Sequence, residues 1–242
     1  MPEQLSKSVF ELLAKPVQKA LVEMGFTDPS LPQTKAFPPI LRGENVLLIA
    51  PTGTGKTEAV LLPIFSKLFE QKNAVKKGIK VIYITPLRAL NRDMLKRLQF
   101  WSQKLDISVD VRHGDTEMKI HRKQAKQPPQ MLVTTPETLQ AILPGSQMRR
   151  HLRSVEFVVV DEVHDLGSSK RGAQLSLALE RLQQVTGKGF QRIGLSATIG
   201  NPEEIAKYLA GTKRKVTIIQ TSPEKNYRYR VEHPSPVEQD YE

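Results

Sequence analysis

Positions 50–57 have the composition of a phosphate-binding loop, in the order Ala-Pro-Thr-Gly-Thr-Gly-Lys-Thr. The two glycines permit a tight turn whose backbone N–H groups point at phosphate oxygens. Lys56 would reach the β and γ phosphates of a nucleotide, and the hydroxyl of Thr57 would bind Mg²⁺. Ala50 departs from the first position of the general G-x-x-x-x-G-K-[ST] pattern, and a turn that binds nothing is the alternative interpretation. The predicted nucleotide-binding residues of this loop are Thr52, Gly53, Thr54, Gly55, Lys56 and Thr57.

Two adjacent carboxylates, Asp161 and Glu162, follow the apolar run at positions 157–160. A carboxylate at the tip of a buried strand can hold Mg²⁺ through water. The neighbouring Glu162 can orient or deprotonate the water that attacks a γ phosphate. An acidic strand end is common by itself, but together with the phosphate loop it predicts hydrolysis of a nucleoside triphosphate. We therefore expect Lys56, Asp161 and Glu162 to be the catalytic residues.

Six apolar runs of the chain are each followed at once by a polar or glycine-rich cluster. The clusters occupy positions 50–57, 85–88, 113–115, 134–137, 161–164 and 196–198. In a parallel sheet all carboxyl ends of the strands lie along one edge, where open α/β sheets bind their ligands. The clusters are therefore expected to converge on a single site.

The elements that would position these clusters alternate between two periodicities. Short apolar runs predict strands at positions 46–49, 81–84, 107–111, 131–133, 155–160, 193–195 and 216–219. Amphipathic stretches predict helices at positions 56–69, 88–101, 173–185 and 203–209, and we expect Trp101 to pack in the core. Alternation of strands and helices predicts a doubly wound α/β fold, with a mostly parallel sheet and helices on both faces.

The length and the terminal patterns suggest one large domain with extensions. Positions 1–25 show helical spacing of apolar residues that ends at Gly25, which predicts a helical extension packed on the sheet domain. Positions 26–221 form the predicted α/β domain. Positions 222–242 lose this periodicity and contain three prolines, so they are expected to form a linker.

Composition excludes several classes of protein. The chain has no cysteine, so disulfides and thiolate chemistry are excluded, and its five histidines show no ligand spacing. No apolar run approaches the roughly 20 residues that a membrane helix needs. The first residues do not resemble a secretory signal, so we expect a cytoplasmic protein without a membrane partner. The net charge of +11 suits a polyanionic partner, although a solvated basic surface is an equal alternative.

Taken in order and spacing, positions 50–57, 161–164 and 196–198 resemble motifs I, II and III of superfamily 2 helicases of the DExH type. The resemblance covers positions 26–221. Within that superfamily, the sequence is similar to the Lhr (large helicase-related) and Ski-like groups at positions 85–90, 113–116, 134–137 and 195–202. The resemblance implies a P-loop NTPase domain of the RecA-like type that binds ATP and Mg²⁺, the latter through Thr57 and Asp161.

The same resemblance assigns further roles. Gln33 matches the glutamine that contacts adenine, since its amide can both donate to and accept from the purine edge. Three residues match positions that touch the sugar-phosphate backbone of a single nucleic-acid strand: Arg88, Gly114 and Thr135. Three further residues match positions that couple the nucleotide state to the grip on the strand: His164, Ser196 and Thr198.

The resemblance also implies that this domain is the first of two. Such motors hydrolyse ATP between two RecA-like domains, and the second supplies an arginine finger. No pattern resembling Gly-Arg-x-Gly-Arg follows Thr198, so we expect the second domain elsewhere in the same polypeptide and little turnover by this chain alone. The partner would be single-stranded DNA or RNA. Two alternatives are a translocase or remodeller that does not separate strands, and a nucleic-acid-binding adaptor that does not hydrolyse ATP.

Overall fold

A computed structural model of the chain describes residues 8–70, 78–86, 92–167, 169–198, 200–211 and 213–221. The described residues form one seven-stranded sheet with the order β3-β4-β2-β5-β6-β1-β7. The strands are β1 Val46–Ile49, β2 Val81–Ile84, β3 Val109–Arg112, β4 Met131–Thr134, β5 Phe157–Val160, β6 Gln191–Ser196 and β7 Thr217–Gln220. All six strand pairings are parallel. The six polar clusters therefore follow strands that end at the same edge of the sheet, as the sequence predicted.

Helices cover both faces of this sheet. The described helices are α1 Lys15–Glu23, α2 Leu31–Leu41, α3 Lys56–Glu70, α4 Arg92–Leu105, α5 Met118–Lys126, α6 Pro136–Ile142, α7 Ser146–Leu152, α8 Val163–Gly167, α9 Lys170–Thr186 and α10 Pro202–Ala210. Alternate residues of β1 enter two separate apolar cores: Val46 and Leu48 join one, and Leu47 and Ile49 join the other. This arrangement confirms the predicted doubly wound α/β fold.

The central strands are buried at every position, and most of their residues are apolar, as is usual for strands covered on both faces. The edge strands β3 and β7 are only partly buried. Trp101 is 1% exposed and makes an edge-on contact with Phe100, which confirms its prediction as a core residue.

The structure goes beyond the predicted elements at the N-terminus and in several helices that no predicted helix matches, among them α6 and α8. The described part of the N-terminal extension contains a 3₁₀ turn at Val9–Leu12 and the separate helix α1, which are divided at Ala14. Helix α2 had no predicted counterpart, although it carries Gln33. Val17 and Leu21 of α1 enter the apolar core shared with β1. No helix in the ranges that the structure describes is both long and apolar enough to cross a membrane.

Candidate nucleotide-binding site

The phosphate loop connects β1 to α3 at the carboxyl edge of the sheet. Gly53 and Gly55 adopt left-handed conformations with φ of +77° and +81°, which glycine accepts without steric cost. The Thr54 hydroxyl donates to the Pro51 carbonyl at 2.7 Å and closes the turn. Lys56 begins α3, so the loop leads into the amino end of a 15-residue helix, where the backbone dipoles favour an anion.

Gln33 lies directly against this loop. It is 1% exposed, and its Oε1 accepts a hydrogen bond of 2.9 Å from the backbone N–H of Ser30, which fixes the start of α2. Its Nε2 would be 3.0 Å from a Cβ atom placed on Gly55. A side chain at position 55 would therefore crowd Gln33, in addition to the strain of the left-handed conformation.

We expect Gly55→Ala to lower the free energy of unfolding by about 1–2 kcal/mol from the left-handed conformation alone, and by more because the new methyl group crowds Gln33. Chemical denaturation would measure the change. Gly53→Ala is the matched control, since Gly53 has a similar φ but nothing lies within 4 Å of a Cβ there. If both variants lose equal stability, the contact with Gln33 does not constrain the loop.

A cavity of about 850 Å³ opens between the loop, the start of α2 and the tip of β5. Its size lies within the usual range for small-molecule sites. Besides the loop, the lining includes Phe26, Gln33, Asp161 and Glu162. The structure thus brings the predicted adenine-contacting, phosphate-binding and acidic residues around one space.

The ammonium group of Lys56 is buried and has no hydrogen-bond partner within the described part of the chain. Burial lowers the pKa of Lys56, while the charges of Glu162 and Asp161 act in the opposite direction. Buried cations are normally paired, because removal from water is costly. An anionic ligand in this cavity would supply the missing partner.

Asp161 is held from two sides at the tip of β5. Its Oδ1 accepts the backbone N–H of Glu162 at 2.9 Å, and its Oδ2 accepts the Tyr83 hydroxyl at 2.6 Å. Burial raises the pKa of Asp161, and the hydrogen bond from Tyr83 opposes this shift. Burial also raises the pKa of Tyr83 well above its ordinary value, so this hydroxyl remains a donor.

A chain of hydrogen bonds joins the acidic tip of β5 to the end of β6. Nδ1 of His164 lies 2.9 Å from the hydroxyl oxygen of Ser196 and 3.4 Å from a carboxylate oxygen of Glu162. The Ser196 hydroxyl donates to the Thr198 carbonyl at 3.0 Å. One arrangement fits these contacts: the imidazole N–H donates to Ser196, which donates onward to Thr198. Three residues were predicted to couple the nucleotide state to the grip on the nucleic-acid strand, and they are linked by hydrogen bonds: His164 contacts Ser196, and Ser196 contacts Thr198.

Two of the three residues predicted to touch a nucleic-acid strand, Gly114 and Thr135, lie at the same edge, farther along the sheet. Gly114 is exposed in the turn after β3. Thr135 is 5% exposed, and its hydroxyl oxygen accepts the Thr138 N–H, so its side chain serves to cap α6. Arg88 lies outside the described residues.

Residues 30–205 match the family model described as DEAD/DEAH box helicase. This match covers most of the α/β domain, including the phosphate loop, the acidic tip of β5 and the end of β6. The chain belongs to the DEAD/DEAH box helicase family.

Named relatives in this helicase family include the Lhr proteins. The chain is 43% identical over 199 residues to the ATP-dependent helicase Lhr-Core of Sulfolobus acidocaldarius, an alignment covering 78% of this chain and 23% of the relative. It is 35% identical over 248 residues to the Lhr helicase/uracil glycosylase of Escherichia coli, covering 95% of this chain and 16% of that protein. These matches agree with the Lhr resemblance in the sequence.

A solved structure of the Mycobacterium smegmatis helicase Lhr, bound to ssDNA and AMP-PNP, superposes with a TM-score of 0.81 at 36% identity. The alignment covers 89% of this chain and 28% of that one. The chain spans roughly a quarter or less of the two curated relatives named above. The helicase-family domain seen here is therefore similar to one part of much longer proteins.

Sequence reasoning missed two site residues of this helicase-family domain. Tyr83 was counted only as part of a strand, although its hydroxyl interrupts an otherwise aliphatic run directly before a polar cluster. Glu58 was counted as part of a helix, but it is 2% exposed and accepts a 2.8 Å hydrogen bond from Nε of Arg97 at the cavity wall. Their pairing depends on how strands and helices meet, which spacing along the chain does not encode.

Proposed function

We propose that this chain is the first of two RecA-like motor domains of an ATP-dependent helicase, which binds Mg·ATP and one strand of DNA or RNA. The observation that carries the proposal is the buried Lys56 ammonium, which faces the cavity without a partner in the described residues. A triphosphate there would pair with it and with the N–H groups of the loop. A cytoplasmic location, which we also propose, is compatible with a nucleic-acid substrate.

The donors around the cavity fit a magnesium ion bound together with phosphate oxygens. Thr57 and Asp161 would hold it, because Mg²⁺ usually binds through one or two protein oxygens, substrate phosphates and water. No group of three or more His, Cys, Asp or Glu side chains suited to a metal occurs in the described ranges, consistent with a site that needs the nucleotide. When bound, Mg²⁺ would withdraw charge from the phosphates.

The remaining residues of the site have separable roles in this proposal. Gln33 would contact the adenine edge, and Lys56 would stabilise negative charge on the β and γ phosphates. Glu162 would orient the attacking water and accept its proton. The contact of Glu162 with His164, and the hydrogen bond from His164 to Ser196, would carry the state of the nucleotide toward the strand-binding edge.

The first test is binding of a fluorescent ATP analogue to this chain in the presence of Mg²⁺. We expect Lys56→Ala to weaken binding about 10- to 150-fold, because a hydrogen bond to a charged group contributes roughly 1.5–3 kcal/mol. Lys35→Ala, a change at an exposed lysine in α2, is the matched control and should bind normally. Equal affinity in wild type and Lys56→Ala would contradict the proposed site.

A further inference from the structure

The hydroxyl of Tyr83 occupies an unusual position in the sheet. Tyr83 lies on β2 with no exposed surface, and its strand neighbours Val81, Ile82 and Ile84 are equally buried aliphatic residues. A buried hydroxyl without a partner is costly, so a tyrosine here needs a specific acceptor. The acceptor is Asp161, on the adjacent parallel strand, at 2.6 Å.

This hydroxyl contacts one of the two residues that we assign to the magnesium ion. It donates to Oδ2 of Asp161. The other oxygen of Asp161 accepts the Glu162 N–H, so the carboxylate is fixed at both ends. Each carboxylate oxygen has two lone pairs, and one on each stays available for a metal-bound water.

We propose that Tyr83 is a positioning residue of the magnesium–nucleotide site, holding Asp161 in the arrangement that accepts the metal. The inference rests on the proposed function and adds a residue that does not itself touch metal or nucleotide. Groups that hydrogen-bond metal ligands set the orientation of those ligands, and their loss typically lowers metal affinity about 10- to 100-fold. Tyr83 would act in this way through its hydroxyl alone.

The test is Tyr83→Phe, which removes the hydroxyl and keeps the ring in the core. Binding of the fluorescent ATP analogue would be followed over a magnesium titration and separately in EDTA. We expect the magnesium midpoint to rise about 10-fold or more, with little change of affinity in EDTA. A purely structural role would not separate these two readouts.

Tyr208→Phe is the matched control. Tyr208 is a largely buried tyrosine whose hydroxyl donates to the Gly172 carbonyl, and it does not line the cavity. This variant loses a comparable hydrogen bond and should leave the magnesium midpoint unchanged.

A second variant keeps the inference testable if Tyr83→Phe alters general stability. If Tyr83 acts through Asp161, the double variant Tyr83→Phe/Asp161→Asn should have nearly the same magnesium midpoint as Asp161→Asn alone. The effects of two coupled residues are not additive. The positioning role would be overturned if the effects of the two substitutions on the midpoint were fully additive. It would also be overturned if Tyr83→Phe alone left the magnesium midpoint unchanged, or if it weakened binding of the ATP analogue equally with and without magnesium. Absence of magnesium-dependent binding by the wild-type chain would instead overturn the proposed function itself.

Discussion

Hydrolysis of ATP by this chain alone is expected to be about 10³ to 10⁵ times slower than by the same chain joined to a second RecA-like domain. The difference is the contribution of an arginine finger, which stabilises charge on the transferred phosphate in the transition state. Two cations line the described cavity, Lys56 and Arg97. Arg97 is hydrogen-bonded to Glu58, which leaves Lys56 to face the phosphates.

The measurement is phosphate release at saturating ATP, with and without single-stranded DNA or RNA. The control joins the chain to a second domain whose finger arginine is replaced by alanine, which should return the rate to that of the isolated chain. Turnover by the chain alone at the rate of the joined protein would show that this domain is catalytically complete. Stimulation by one polymer and not the other would identify the substrate.

The fold was predictable because two independent patterns in the sequence agree. The apolar runs at positions 46–49 and 81–84 match β1 and β2 residue for residue. Alternation of strands and helices implies parallel pairing, and the polar clusters after six apolar runs then fall along one edge of the sheet. In each case the signal is local, since burial on both faces of a strand demands consecutive apolar residues.

Helix α2 was harder to predict because it contains Pro38 and Pro39, residues that usually disfavour a helix interior. Its amino end is instead stabilised by the hydrogen bond between Gln33 and Ser30, and its face packs on α3. Gln33 was predicted from family resemblance, whereas its contact with the phosphate loop depends on that packing. The sequence alone does not specify how close Gln33 lies to the phosphate loop.

The contacts of the acidic residues after β5 were likewise not predictable from the sequence. Asp161 and Glu162 were predicted from their position after an apolar run, but the partner of Asp161 lies 78 positions away in sequence. Glu162 has a φ of +49°, which is uncommon for a residue with a side chain and is found at functional sites. This backbone conformation results from the turn between β5 and α8, not from the residue type.

Replacing Glu162 with glutamine is expected to separate nucleotide binding from hydrolysis. Glutamine keeps the shape of the side chain but cannot accept the proton of the attacking water. In a protein that joins this chain to a second RecA-like domain, Glu162→Gln should lower the hydrolysis rate about 10²- to 10⁴-fold. Affinity for the fluorescent ATP analogue should stay close to that of the wild type, because Lys56 and the loop are intact.

Strand release from a labelled partial duplex, measured beside phosphate release, extends this test to the helicase proposal. Glu204→Gln, which alters an exposed carboxylate on α10, is the matched control and should leave both rates unchanged. Retained hydrolysis in Glu162→Gln would place the base on another residue, and loss of nucleotide binding would make Glu162 a structural residue. If the joined protein without substitutions consumes ATP but releases no strand, it is a translocase. The coupling from Glu162 through His164 to Ser196 can move a strand without separating a duplex.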